Sequence, residues 1–301
     1  MRGVLIMTRL RRAGFTLNEV LISLVILTVI GAAFTRILTY QTRYLAHETS
    51  LRTARSVART ANNILMSDLR TVQDSGGVDS VTADGKLVRI LVPYRFGLVC
   101  ATNGTTTTLS MLPIDSATIA WSVYKGFAWR NAATGRYTYV FPADPTGADL
   151  PITSPTPAAC TGTGVGQAQI RTVSTTGRVG QILDVTSPVA SGATVAAPAF
   201  LFQKITYSFK TSTAYPNALG LYRNVEGGAD EELVAPFDAT AGFRFYRAGD
   251  DTSRVSPPTV PEIRGIELVL TALSPVKSSN QATLPMEKVV TSVFFKNVRA
   301  Y

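Results

Sequence analysis

The sequence has few of the residues on which most catalytic and metal sites depend. It holds one histidine, His47, and two cysteines, Cys100 and Cys160, whose spacing fits no CxxC pattern. A single histidine excludes every histidine-dependent triad except one built on His47, and no G-x-S-x-G, Walker A or H-E-x-x-H segment is present. We therefore predict no enzymatic activity, no metal centre and no cofactor.

Proline and charge are both missing from the N-terminal part of the chain. No proline precedes Pro93, and no charged residue occurs between positions 20 and 35. With residues 15–19 added, this segment is long and apolar enough to cross a bilayer as a helix. Four arginines lie before residue 14, so the positive-inside rule predicts that residues 1–14 are cytoplasmic and that the bulk of the chain lies outside.

Glu19 lies near the start of this apolar segment. A carboxylate at membrane depth is costly unless it has a partner, which makes Glu19 a candidate functional residue. An ordinary secretory signal has the same order of charge and apolar residues, and the small residues at 31–33 offer a signal peptidase site after Ala33. That alternative leaves Glu19 unexplained, and the proline-free helical pattern continues past Ala33.

The stretch "GFTLNEVLISLVILTVIGAAF", residues 14–34, resembles the class III signal of type IV pilins and type II secretion pseudopilins. The resemblance implies that a prepilin peptidase cuts between Gly14 and Phe15 and methylates the new N-terminus at Phe15. It also implies that Glu19 neutralises the N-terminal amine of its own or a neighbouring subunit, while Leu17 and the following apolar residues pack in a filament.

Beyond the membrane segment the helical pattern continues to about Gln73. Apolar or small residues recur mostly at three- and four-residue steps, which is typical of one helix face. These positions are Ile37, Tyr40, Tyr44, Leu51, Ala54, Ala58, Ala61, Leu65, Leu69 and Val72. We predict a helix over residues 15–74, transmembrane over 15–35, whose outer half lies against a domain. Its polar face is predicted to carry Arg43, Arg52, Arg55, Arg59, Asn62, Asn63 and Asp68.

Residues 75–301 have the sequence pattern of a β-rich domain, which we expect to be extracytoplasmic. Short β-branched and aromatic runs alternate with turn residues, which predicts an antiparallel sheet and an α+β, pilin-like fold with the long helix packed on it. Strands are predicted at 87–92, 97–101, 106–112, 117–125, 136–141, 200–209, 219–227, 262–273 and 286–301, and residues 233–248 are predicted to form two strands around a turn. The Pro-, Gly-, Ser- and Thr-rich stretch 142–199 is predicted to be a long loop or flexible insertion.

The order of short motifs in the C-terminal half carries a second resemblance. "ITYSF", "LGLYRNV", "EELVAPFDATAGFRFY", "IRGIELVLTAL" and "VFFKNVRAY" follow one another as in PilW-like minor pilins and the J-type minor pseudopilin of type II secretion. The ending "KNVRAY" departs from the family pattern.

Together the two resemblances imply a minor pilin that primes type IV pilus assembly, or else a minor pseudopilin. The implied partners are the prepilin peptidase, other pilins or pseudopilins and the inner-membrane assembly platform. The implied location is the inner membrane, then a pilus or periplasmic pseudopilus. The alternative from another class is a ligand-binding, DNA-binding or adhesive surface protein. The mild net positive charge of the chain is only a weak indication of nucleic-acid binding.

Smaller features allow two interpretations each. In an exported domain Cys100 and Cys160 are candidates for a disulfide, and two buried thiols are the alternative. The acidic residues Glu226, Asp230, Glu231, Glu232, Asp250 and Asp251 favour solvated turns over a calcium site. The aromatic residues Trp121, Tyr124, Phe127, Trp129, Tyr137 and Tyr139 favour a sheet core over an exposed adhesive face.

Overall fold

The computed structural model describes residues 16–73, 76–112, 123–142, 156–157, 181–226, 228–275 and 284–295. One long helix is followed by an antiparallel sheet, which confirms the predicted α+β, pilin-like fold class. The helix α1 spans Leu17–Leu69. The strands are β1 (Val78–Val81), β2 (Leu87–Asn103), β3 (Thr106–Met111), β4 (Gly126–Arg130), β5 (Tyr137–Val140), β6 (Thr156–Pro157), β7 (Gln181–Thr186), β8 (Pro198–Thr211), β9 (Leu219–Val225), β10 (Glu231–Phe237), β11 (Gly242–Arg247), β12 (Ile263–Leu273) and β13 (Met286–Phe294).

The helix α1 runs for 53 residues without a break. At 1.5 Å per residue its length is about 80 Å. Proline is absent over this range, so nothing removes a backbone donor or forces a kink. The sequence therefore produces a single rod, as predicted.

The described strands form one antiparallel sheet in the order β11-β12-β10-β9-β8-β2-β3-β7-β6. Four strands lie off this path: β1 pairs with β2, β4 pairs with β8 and β5, and β13 pairs with β12. The strands β2 and β8 form the centre and pair from Leu87↔Ser208 to Leu98↔Pro198.

Strand β2 is one bent strand where two separate strands were predicted. The sequence suggests a break at Pro93, which has no backbone N–H to donate to the sheet. The structure instead keeps the pairing and shifts its register between Pro93 and Arg95. A second shift lies between Val99 and Ala101. Such bulges bend a strand without ending it.

The helix and the sheet share one apolar core. The buried face of α1 contacts a cluster that includes Ile90, Tyr207, Phe243 and Leu268 from four different strands. A second cluster, around Phe127, Trp129 and Leu201, lies under β4 and the β7–β8 connection. Tyr124, Phe127 and Trp129 are buried, as the sheet-core interpretation predicts.

Some strand predictions need correction. Strand β4 was not predicted, and residues 123–125 of the predicted strand 117–125 lie outside any strand. Within 142–199, β7 and the start of β8 are strands where a loop was predicted. Cross-strand pairing of β7 with β3 and of β8 with β2 explains this difference, because ladder bonds outweigh weak local preference. Residues 117–122, 143–155 and 158–180 lie outside the described residues.

The face of α1 that packs on the sheet begins later than the sequence predicts. Ser50, Ala54, Ala58, Ala61, Leu65 and Leu69 are its buried residues. Ile37, Tyr40 and Tyr44, which share the helical pattern, remain exposed because the described sheet does not reach that part of the rod. Asp68, assigned to the polar face, instead points into the junction with the sheet.

Candidate assembly surface on the N-terminal helix

The N-terminal end of α1 is closed by a reciprocal cap between Thr16 and Glu19. The Glu19 carboxylate accepts hydrogen bonds from the Thr16 backbone N–H at 2.9 Å and from the Thr16 hydroxyl at 3.1 Å. The Glu19 N–H donates to Thr16 Oγ1 at 3.4 Å. This capping box satisfies donors that have no partner within the helix. Glu19 is thereby directed back toward the beginning of the chain.

None of the residues that the structure describes packs against the first half of α1. Its 18-residue apolar window has a mean hydropathy of 2.3 and is 0% buried. Leu17 is 81% exposed. The other large exposed side chains are Val20, Leu21, Ile22, Leu24, Val25, Ile26, Leu27, Val29, Ile30, Phe34, Ile37, Leu38, Tyr40, Tyr44 and Leu45. An apolar surface of this extent on all sides of a helix requires lipid or other helices around it.

Hydroxyl groups inside this segment are bonded within the helix. Thr28 Oγ1 donates to the Val25 carbonyl at 2.7 Å, and Thr35 Oγ1 donates to the Gly31 carbonyl at 2.8 Å. Back-bonding of this kind spares a threonine an unsatisfied donor in an apolar environment. The segment is therefore compatible with immersion in hydrocarbon despite its polar residues.

Small side chains and an ion pair hold the middle of α1 against the sheet. Ala54, Ala58 and Ala61 are fully buried, so the helix backbone approaches the strands closely. On the flank of the helix, Arg55 Nε lies 3.2 Å from Glu287 Oε1 of β13. Both side chains are partly exposed, so this pair sets position more than it adds stability.

A polar cluster fixes the C-terminal end of α1. Tyr207 donates its phenolic O–H to Asp68 Oδ2 at 2.6 Å, and Arg223 Nε lies 3.9 Å from the same oxygen. Arg223 also donates to the Tyr94 hydroxyl at 3.3 Å. Burial and the Asp68 carboxylate raise the pKa of Tyr207 well above its ordinary value, so the phenol stays protonated as a donor. Sequence periodicity gave no signal for this cluster, whose members lie far apart in the chain.

Three of the acidic residues, Asp230, Glu232 and Asp250, are paired with donors of the protein itself. Glu232 accepts from Ser212, Thr213 and Tyr222, and Asp230 is paired with Lys210. Asp250 lies 2.8 Å from an Arg254 nitrogen. Within the described ranges, no group of three His, Cys, Asp or Glu side chains is placed to hold a metal ion.

The remaining sequence candidates are placed as follows. His47 is half-buried on α1, just before the packed face. Cys100 is 1% exposed and disulfide-bonded. Cys160, the other cysteine of the chain, lies outside the described residues, as do Gly14 and Phe15. We propose that Cys100 pairs with Cys160; a mass measurement that finds two alkylated thiols without reduction would contradict this pairing.

A comparison with protein families finds the prokaryotic N-terminal methylation motif over residues 9–35. Neither the curated proteins nor the solved structures contain a significant match to this chain. The motif ends within the exposed apolar half of α1, and the helix continues beyond it as a rod that carries the sheet. Motif and helix together support a type IV pilin-like protein, a structural subunit anchored in the inner membrane by its N-terminal helix.

Proposed function

We propose that this chain is a minor pilin that helps to prime assembly of a type IV pilus. Prepilin peptidase cuts the precursor between Gly14 and Phe15 and methylates Phe15. The domain from residue 75 onward lies outside the cytoplasm. The apolar half of α1 then leaves the membrane for the filament core, where Leu17 and the residues after it contact neighbouring helices.

The observation that carries this proposal is the continuity of α1 from Leu17, inside the motif, to the part that packs on the sheet. The helix is unbroken from Leu17 to Leu69, so cleavage after Ala33 would divide a continuous rod and discard its capped end. Cleavage before Phe15 would keep the rod, its cap and its exposed apolar surface together. With cleavage before Phe15, the mature chain retains the cap, the apolar half and the sheet-packed half of α1.

The size of the outer domain supports a minor role. One rod about 10 Å in diameter carries the whole described sheet. A domain built on a 13-stranded sheet hinders close stacking of many copies along a thin filament more than a small domain does, whereas a few copies at one end are tolerated. The chain therefore suits the initiating complex better than the shaft.

The alternative is a minor pseudopilin of a type II secretion system. It is favoured by the order of motifs from residue 205 to the C-terminus, which resembles the J-type pseudopilin as well as PilW-like pilins. Both roles use the same cleavage and the same helix. They differ in the machine that the subunit joins.

Deletion of the gene in the organism that makes this chain tests the proposal. We expect surface pili, counted by electron microscopy, to fall severely, with recovery on expression of the wild-type chain but not of Gly14→Ala. Loss of protein secretion with unchanged piliation would favour the pseudopilin. No change in either would contradict both roles.

A further inference from the structure

Strand β13 forms an edge of the described sheet. It pairs with β12 from Gly265↔Phe294 to Leu273↔Met286, and no described strand pairs with its other side. A free strand edge presents unpaired backbone donors and acceptors, to which another chain adds readily. Natural proteins protect such edges with charge, proline or bulges. Strand β13 is regular over nine residues, has no proline and carries one exposed charge on its outer face, Lys288.

The outer face of β13 carries three exposed apolar side chains. Met286 is 50% exposed, Val290 is 50% exposed and Phe294 is 59% exposed. These three residues, which we name the outer row, are four residues apart and share one face of the strand. Lys288 and Ser292 lie between them on the same exposed face, whereas Glu287 is on the opposite face and pairs with Arg55. An apolar row beside an open edge is typical of a contact surface.

A row of arginines on α1 borders the other face of β13. Arg52, Arg55 and Arg59, which we name the arginine row, lie on successive turns and are exposed. The pair between Arg55 and Glu287 places the row beside the inner face of β13. Among the described residues, Arg52 and Arg59 have no carboxylate within salt-bridge distance. A groove of about 390 Å³ follows the row and is also lined by Ser56, Thr60 and Asn63.

We propose that β13 and the arginine row form a docking surface for an acidic, extended segment of a different pilin-like subunit, added as a strand beside β13. Side chains alternate between the two faces of a strand. On one face of the added strand the side chains are apolar and contact the outer row. On the other face they are acidic and lie opposite the arginine row. This proposal rests on the proposed function and specifies the chemistry of the partner.

A second copy of this chain does not fit the surface through its own β13. Two identical edge strands that pair antiparallel are related by a two-fold axis normal to the sheet. Because α1 lies along the sheet face, that axis reverses the direction of the partner's helix. Two copies anchored in one membrane by the same end of α1 cannot adopt this arrangement. Two copies whose arginine rows lie opposite each other would also repel, because both rows are positively charged.

The chain segments that flank β13 do not supply the acidic groups. Residues 276–283 and 296–301 contain Lys277, Lys296 and Arg299 but no aspartate or glutamate. Lipid headgroups are also excluded by distance, since Arg52 lies about 25 Å along the helix beyond residue 35.

Nucleic acid fits the arginine row less well than a protein does. The affinity for nucleic acid rises with the number of phosphates that basic side chains neutralise, and the row holds only three arginines. Glu287 lies beside the row, and Glu48 lies one turn before Arg52 on the same helix. These carboxylates repel phosphate, whereas the mixed charge of a protein surface accommodates them.

The experiment places a photo-crosslinking amino acid at Val290 of the full chain in the organism that makes it. The control position is Val189, which is 70% exposed in the β7–β8 connection. From Val290 we expect a crosslink to a different protein with its own N-terminal methylation motif, at a segment that alternates acidic and apolar residues. Arg52→Glu combined with Arg59→Glu should lower the yield at least about tenfold, because attraction becomes repulsion. The same reversal at the exposed Arg130 and Arg136 should not lower it.

Several results would overturn the docking surface. These are crosslinks only to copies of this chain, crosslinks to nucleic acid, equal yield from Val189, or a yield that the Arg52 and Arg59 reversal leaves unchanged. The mature N-terminus and the filament fraction are measured in the same sample. A methylated, filament-associated chain without the Val290 crosslink contradicts this inference alone, whereas a chain that is neither methylated nor in filaments contradicts the proposed function.

Discussion

Glu19 combines two physical roles at the residue scale. As the third residue of the helix it caps the backbone through Thr16, and a carboxylate at this end also opposes the positive end of the helix dipole. As a charge at membrane depth it requires a positive partner, which the amine exposed by cleavage would supply. The new amine would be that of Phe15, which directly precedes Thr16, and Thr16 is bonded to Glu19.

Two substitutions at Glu19 separate these roles. Glu19→Gln keeps an acceptor for the cap but removes the charge, whereas Glu19→Ala removes both. We expect both variants to be cleaved normally and both to be depleted from sheared filaments to a similar degree. Immunoblots of membrane and filament fractions give the measurement. Near wild-type incorporation of Glu19→Gln would show that only the cap matters.

The cluster at the end of α1 predicts a stability effect. Tyr207→Phe removes the donor to Asp68 and leaves a largely buried carboxylate with a weaker partner. We expect the free energy of unfolding of the full chain in detergent to fall by about 1–3 kcal/mol in denaturant titrations. Tyr215→Phe, at an exposed tyrosine, is the matched control and should change it by under about 0.5 kcal/mol. Equal effects of the two variants would argue against the role of the cluster.

The hydrogen bonds to Glu232 predict that the stability of the fold depends on pH. Burial raises the pKa of its carboxyl, but hydrogen bonds from Ser212, Thr213 and Tyr222 outweigh this, and the net pKa lies below its ordinary value. A carboxyl with a lowered folded pKa stabilises the fold fully above its unfolded pKa of about 4.3 and loses that contribution as the pH falls through the folded value. The stability difference between wild type and Glu232→Gln should therefore be present at pH 7 and shrink below about pH 4. A difference that grows at low pH would contradict this sign.

At the scale of elements, the packing of α1 depends on its small residues. Ala58→Leu adds three carbons where no space is left and should lower the free energy of unfolding by about 1–3 kcal/mol. Helix propensity does not explain such a loss, because leucine is nearly as favourable as alanine. Ser56→Leu, on the exposed side of the same helix, is the control and should be nearly neutral. A tolerated Ala58→Leu would mean that α1 lies farther from the sheet than described.

The helix and most strands follow from local patterns. Absence of proline, three- and four-residue apolar steps and β-branched runs each reflect the geometry of a single element. The errors arise where pairing outweighs local preference. Strand β4 is short and contains Gly126, but β8 and β5 pair with it on both sides. Pro93 suggested a break, but a bulge accommodates it.

At the scale of the whole molecule, the site divides into a predictable and an unpredictable part. The apolar half of α1 and Glu19 are contiguous in sequence and carry a recognisable signal. The contacts that hold the rod to the sheet join residues 232 and 139 positions apart, as in Arg55 with Glu287 and Asp68 with Tyr207. No periodicity encodes such pairs, and the docking surface on β13 depends on the same long-range geometry.

The mature N-terminus of the chain shows directly whether the chain is processed as a pilin. Intact-mass and N-terminal peptide mass spectrometry of the protein purified from its own membranes would read it. We expect a chain that begins with N-methylated Phe15 and retains Glu19 and all of α1. A chain that begins at Phe34, or that keeps residues 1–14, would contradict this expectation.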